Sequence, residues 1–87
     1  MIFEVLLQED AKESLMEMDA SARNRIIKRI ARMRGQPPGR HLRHGLDFFV
    51  EEVGQYRIVY TFEEDKKIIY FIGSHKEYEK WYRRSGD

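Results

Sequence analysis

Hydrophobic and polar positions alternate most cleanly through Val53-Gly54-Gln55-Tyr56-Arg57-Ile58-Val59-Tyr60, and this pattern predicts a tight β-hairpin. Gly54-Gln55 reads as a two-residue loop whose leading glycine suits a type II′ turn. The strand leaving it places Tyr56, Ile58, Tyr60 and Phe62 on one face and Arg57, Val59 and Thr61 on the other. A loop of two residues also fixes the register: Val53 opposite Tyr56, Glu52 opposite Arg57, and Val50 opposite Val59. One face then carries Phe49, Val53, Tyr56, Ile58, Tyr60 and Phe62. The other carries Phe48, Val50, Glu52, Arg57, Val59 and Thr61. Arg57 thus points away from the aromatic face, with Glu52 across from it. An exposed cross-strand pair of that kind stabilises by about 1 kcal/mol or less.

The same reasoning places the other elements. Ile2 to Leu7 alternates as a first strand, with Phe3, Val5 and Leu7 on one side. Asp10 and Glu13 have capping-box spacing, and Ala11, Leu15 and Met18 then follow helical spacing. Asp19 and Ser21 are candidate caps of a second helix, whose apolar stripe is Ile26, Ile27, Ile30, Ala31 and Met33. Almost no loop separates the two helices. Gly35-Gln36-Pro37-Pro38-Gly39 ends the second one and opens an irregular connection. Strands follow at about Asp47–Val53, Tyr56–Phe62 and Lys67–Gly73, the last two joined by the polar turn Glu63–Lys66. Ser74 is placed to cap a short terminal helix through Tyr82. The predicted class is α+β, ordered β-α-α-β-β-β(-α), with an antiparallel sheet and a two-helix hairpin packed on one face.

At 87 residues the chain suits a single domain, 1–87, near the lower size limit for independent folding. It has no cysteine, which excludes disulfides, thiolate metal sites and cysteine nucleophiles. It shows no basic signal-peptide start and no stretch long enough to span a bilayer, so the expected compartment is the cytoplasm. The net charge of +1 hides a segregation. From Ser21 to Leu46 the chain carries Arg23, Arg25, Lys28, Arg29, Arg32, Arg34, Arg40 and Arg43 without one carboxylate, while both flanks are acidic. Such a block produces a local positive field suited to phosphate. For the helix-borne cations Arg25, Lys28, Arg29 and Arg32, a solvated helix face is the simpler reading. His41, His44 and Asp47 have a spacing that a metal could use, but Arg40 and Arg43 would repel a cation. Loop contacts to phosphate by Arg40, His41, Arg43 and His44 fit better than zinc. Nothing points to a nucleotide-cofactor site, and no metal or cofactor is expected.

Several of these segments together resemble the RelE/ParE superfamily of type II toxins. They are Pro37-Pro38, Leu42-Arg43-His44-Gly45, the hairpin Gly54-Gln55-Tyr56-Arg57-Ile58-Val59-Tyr60, and Gly73-Ser74-His75-Lys76-Glu77-Tyr78. The order of elements agrees across nearly the whole chain, and the tail looks most like the RelE/HigB branch. The resemblance implies a toxin that cuts messenger RNA on the ribosome, a metal-independent endoribonuclease restrained by a RelB-like antitoxin. The toxin–antitoxin complex would also be a candidate for binding operator DNA. It further implies that Arg57 contacts the scissile phosphate, and that His75, Lys76, Tyr78 or Tyr82 supply acid–base or stacking functions.

The residue types suit that chemistry. Cleaving RNA without a metal requires deprotonation of the 2′-hydroxyl, protonation of the 5′-oxygen and stabilisation of charge on the phosphate. A guanidinium fork binds two phosphate oxygens, an imidazole titrates near neutrality, and exposed aromatic rings stack on unpaired bases. Glu52 stands open as an orienting group, a base or a neutralising partner of Arg57. The chain also departs from the RelE pattern, which places basic residues where Phe48 and Val50 stand. That departure keeps two other readings in view: a non-enzymatic, ParE-like inhibitor of DNA gyrase, and a decayed toxin serving as a DNA-binding co-repressor.

Overall fold

The computed structural model describes residues 2–41 and 48–86. The chain runs β1 (Glu4–Leu7), α1 (Glu9–Glu17), α2 (Ala20–Met33), β2 (Arg40–His41), β3 (Phe49–Val53), β4 (Tyr56–Glu63), β5 (Lys66–Ser74) and α3 (His75–Gly86). The five strands form one sheet in the order β1-β5-β4-β3-β2. Strands β2 to β5 meander antiparallel, and between β3, β4 and β5 the two-residue turns Gly54-Gln55 and Glu64-Asp65 require it. The sheet is nonetheless mixed rather than wholly antiparallel, because β1 adds in parallel to β5, with Val5 against Lys67 and Leu7 against Ile69. The α1–α2 hairpin is the long crossover that makes this parallel pairing possible.

Local chemistry sets the helix ends. Gln8, not Asp10, occupies the N-cap of α1 and makes no side-chain cap, so the expected capping box does not form. Glu9 and Asp10 instead lie in the first turn, where carboxylates favour the positive end of the helix. Asp19 caps α2 by accepting from Ala22 N–H at 2.8 Å, so Met18 and Asp19 alone link the helices. The buried face of α2 is narrower than the sequence suggests. Ala22, Ile26 and Met33 are buried, while Ile27 is 47% exposed and Ala31 is also exposed.

The hairpin register is as the two-residue loop demands: Val53 faces Tyr56, Glu52 faces Arg57 and Val50 faces Val59. Gly54 holds φ at +60°, which a leading turn glycine reaches at no steric cost. One sheet face packs Val53, Ile58, Tyr60, Ile69 and Ile72 against Ala11, Leu15, Ile26 and Met33 of the helix hairpin. Val50 and Val59 lie on the opposite face, under Phe48, Phe71, Tyr78, Trp81 and Tyr82. The terminal helix therefore covers the apolar patch that replaces the basic residues of the RelE pattern, and Val50 is only 3% exposed.

A β-bulge interrupts the β4–β5 ladder. Val59 pairs with Phe71 but Tyr60 pairs with Ile69, which leaves Tyr70 as the extra residue. The bulge resets the alternation of β5, so Ile69 and Ile72 share the helix-hairpin face. Tyr70 and Phe71 then both serve the α3 side, where Tyr70 meets Phe48 edge-on and Phe71 stacks on Trp81.

Candidate functional site

Cross-strand pairing and a helix cap build the site. Arg57 sits one pair in from the hairpin turn, between Glu52 on β3 and Gly73 on β5. Ser74 ends β5 and caps α3: its hydroxyl accepts from Glu77 N–H at 3.2 Å, and Glu77 Oε1 accepts from Ser74 N–H at 2.9 Å. This reciprocal capping box fixes where α3 starts. His75 N–H then donates to Gln55 O at 2.8 Å, clipping the first residue of α3 to the hairpin turn. Gly73 lets the helix lie so close. A Cβ there would stand 2.7 Å from the Phe71 ring and 3.2 Å from Glu77 Oε1.

Between the turn and the start of α3 lies an open cleft of about 450 Å³, lined by Gly54, Gln55, Arg57, Ser74, His75 and Lys76. Three of the residues singled out from sequence, Arg57, His75 and Lys76, therefore meet at one place. A guanidinium, an imidazole and an ammonium converge there beside the positive end of a helix, an arrangement that favours an anion. Within the cleft, the Arg57 Nη1 donates to Gly54 O at 3.1 Å and to Tyr56 O at 3.0 Å. Its Nη2 lies 3.5 Å from Glu52 Oε1, so the anticipated pair forms. His75 is exposed, with Nε2 3.0 Å from Glu79 Oε1 one helical turn on. Lys76 is exposed.

Tyr78 and Tyr82 sit beside the cleft rather than in it. Both are half-buried against the Val50/Val59 cluster, their rings 5.9 Å apart, and Tyr78 lies 6.5 Å from the His75 ring. With Glu79 and Arg83 they line a second hollow of about 290 Å³. Arg40 and His41 form the edge strand β2, opposite Val50 and Phe49. Arg43 and His44, with Asp47, lie outside the described residues, as does most of the expected basic loop. Among the described residues no group of three or more His, Cys, Asp or Glu is placed to hold a metal.

The helix-two cations are not all solvated. Arg29 donates to Glu51 Oε1 at 3.0 Å and to Glu52 O at 3.3 Å. The guanidinium of Arg25 lies over Gly54, where a Cβ would stand 2.5 Å from its Nη2.

Sequence reasoning missed Lys67. It is fully buried, and its ammonium donates to Met33 O at 2.8 Å and Gln36 O at 2.6 Å, capping the end of α2. The ammonium lies 4.7 Å from the Phe3 ring centroid and 5.5 Å from that of Tyr60. Burial lowers its pKa from the ordinary lysine value. Tyr60 accepts from Gly39 N–H at 2.6 Å, and burial raises its own pKa. The sequence signal was a lysine at a position where β5 faces the helices, legible only once the register with β1 and β4 is known.

No protein-family model matches the chain, and no curated protein matches it by sequence. Solved structures do match. The RelBE2 toxin–antitoxin complex of Mycobacterium tuberculosis aligns at 16% identity with a TM-score of 0.78, covering 85% of this chain and 99% of that one. A mutant of the E. coli toxin RelE in the free state aligns at 17% identity with a TM-score of 0.77, covering 93% and 92%. The archaeal RelE–RelB complex of Pyrococcus horikoshii aligns at 14% identity with a TM-score of 0.67, covering 85% and 96%. The strand order, the helix hairpin under one sheet face and the terminal helix across the other are thus those of known toxins, and this chain has the RelE fold.

Proposed function

We propose that this chain is the toxin of a type II toxin–antitoxin module and that it cleaves messenger RNA on the ribosome. The observation that carries the reading is the convergence of Arg57, His75 and Lys76 on one open cleft of a RelE fold. In this scheme Arg57 binds the scissile phosphate and stabilises the charge that builds there. His75 exchanges the proton with the 2′-hydroxyl or the 5′-oxygen, and Lys76 adds positive charge beside it. Tyr78 and Tyr82, along the helix from His75, offer ring faces to the bases of the unpaired strand. Arg40, His41, Arg43 and His44 are the basic residues assigned to contacts with the RNA phosphates. No step requires a metal.

The matching structures include RelE toxins bound to RelB antitoxins, which supports a small antitoxin as partner here. An extended, partly helical segment that orders on binding is the expected form. The gyrase-inhibitor reading rests on Phe48 and Val50 standing where the RelE pattern has basic residues. Both pack beneath α3, so they offer no open apolar surface to a partner, while the departure from the basic pattern stands.

The test is to induce the chain without its partner while mapping transcript ends, beside an Arg57→Ala variant. New ends confined to translated frames, absent in the variant, are the expected result. Unchanged growth inhibition and cleavage in Arg57→Ala would overturn the mechanism.

A further inference from the structure

We infer that Glu52 is a built-in competitor for the anion site on Arg57, an autoinhibitory contact that holds the cleft at low phosphate affinity. The inference rests on reading the cleft as a phosphate site. It begins with the two neighbouring carboxylates of β3, which point to opposite faces of the sheet. Glu51 is 14% exposed and accepts a hydrogen bond from Arg29 at 3.0 Å, a locked structural pair. Glu52 is 47% exposed and stands 3.5 Å from Arg57 Nη2, beyond ordinary hydrogen-bond length. The two pairs differ in kind.

Orientation of Arg57 does not depend on Glu52. Its Nη1 already donates to Gly54 O and Tyr56 O, and these carbonyls belong to the turn that carries Arg57 itself. Toward Arg57, Glu52 contributes charge at the Nη2 edge. A phosphate docking on the fork uses that same edge, because bidentate recognition takes two N–H groups side by side. Carboxylate and phosphate therefore compete for the charge at Nη2.

Sheet pairing fixes the competitor in place. Glu52 is the direct cross-strand partner of Arg57, whereas the β5 partner, Gly73, brings no side chain. A half-exposed ion pair is weak, so a ligand with more charge and more acceptor oxygens displaces it. A lone phosphate meets this competition unaided. A strand anchored by further contacts along the cleft overcomes it through effective concentration. Glu52 thereby sets the threshold at which Arg57 accepts a phosphate.

The test uses the whole chain titrated with inorganic phosphate, following the Arg57 Nε–Hε resonance by NMR. Glu52→Gln keeps the shape and removes the charge, and it is expected to tighten phosphate binding about threefold to fivefold, the range for a weak, half-exposed pair. Glu51→Gln removes the same charge one residue away, on the other face, and is expected to leave the titration unchanged. Affinity that is unaltered or weaker in Glu52→Gln overturns the inference; weaker binding would make Glu52 an orienting group. Equal tightening in both variants would also overturn it, by reducing the effect to net charge. The titration needs no turnover, so it stands apart from the transcript-cleavage assay. If Arg57→Ala still cleaves transcripts, the functional reading fails whatever phosphate does in Glu52→Gln.

Discussion

The two faces of the sheet each hold a strand cation bonded to two backbone carbonyls, and the two cations do opposite things. On the helix-hairpin face, Lys67 is fully buried and caps α2 through Met33 O and Gln36 O. On the α3 face, Arg57 is 15% exposed, bonds Gly54 O and Tyr56 O, and borders an open cleft. A count of hydrogen bonds would not separate them. What separates them is the surroundings of the donors left over. Around Lys67 these are aromatic rings closed to solvent, with the Glu51 carboxylate nearby; around Arg57 they are a carboxylate and, in addition, a cleft wide enough for a ligand. A cation whose remaining donors face a cavity is a candidate for function, and one sealed by rings is a structural cap.

The contrast breaks most directly by substituting each cation. Arg57→Ala is expected to lower transcript cleavage by about a hundredfold to a thousandfold, the usual loss when one charge-stabilising donor is removed. It should cost only about 1 kcal/mol or less of stability by urea unfolding, as for other partly exposed pairs. Lys67→Met should do the reverse. It keeps the side-chain volume but strips the donor from the buried Met33 carbonyl and the half-buried Gln36 carbonyl, at a cost of about 3 kcal/mol. In a chain of this size that lowers the melting temperature by roughly 15 °C. Should Arg57→Ala unfold the protein as severely as Lys67→Met, the division into functional and structural cation is wrong.

The same contrast explains what the sequence disclosed. Arg57 was legible because a two-residue turn fixes the register around it, and that register holds through Glu52 and Val50. Arg57, His75 and Lys76 were each nameable from local pattern. Their meeting depends on a link between His75 N–H and Gln55 O that no local pattern announces. Lys67 was hidden because lysine at the start of a strand ordinarily reaches solvent. It became internal when β1 paired in parallel on one side and Phe3 and Tyr60 closed over it. The bulge at Tyr70 was equally hidden, since neither glycine nor proline stands at that position to mark it. The narrow stripe of α2 reflects tertiary packing, which buried Ile26 and left Ile27 outside.

A smaller effect tests whether the α3 face is as firmly built as its counterpart. Gly73→Ala places a methyl 2.7 Å from the Phe71 ring and 3.3 Å from Glu77 Cβ, so either the ring or the first turn of α3 must shift. Overpacking at a partly adaptable site costs about 1–2 kcal/mol. Trp81, the single tryptophan of the chain, stacks on Phe71 and reports the shift through its fluorescence. A changed emission spectrum with a modest loss of stability is the expected outcome. An unchanged spectrum would mean that Phe71 yields alone and that α3 does not depend on the glycine.

The smallest effect distinguishes the helix-hairpin face by its pH dependence. Lys67 has its folded pKa below the ordinary 10.5, because burial disfavours the charged ammonium. Between those values the unfolded chain binds more protons, so the Lys67 contribution to stability rises with pH up to about 10.5. Tyr60 has its folded pKa above the ordinary 10.0, because burial disfavours the phenolate. Its contribution is fully present below 10.0 and is lost as the pH climbs from there through the folded pKa. The two therefore act in opposite directions across overlapping windows. Urea unfolding of the wild type and Tyr60→Phe from pH 8.5 to pH 11.5 reads the second contribution, since only the wild type carries the Tyr60 hydroxyl. The stability difference should stay flat to about pH 10 and then shift against the wild type. A difference that stays flat across the whole range would show that the Tyr60 hydroxyl, despite its bond to Gly39, titrates as freely as it does in the unfolded chain.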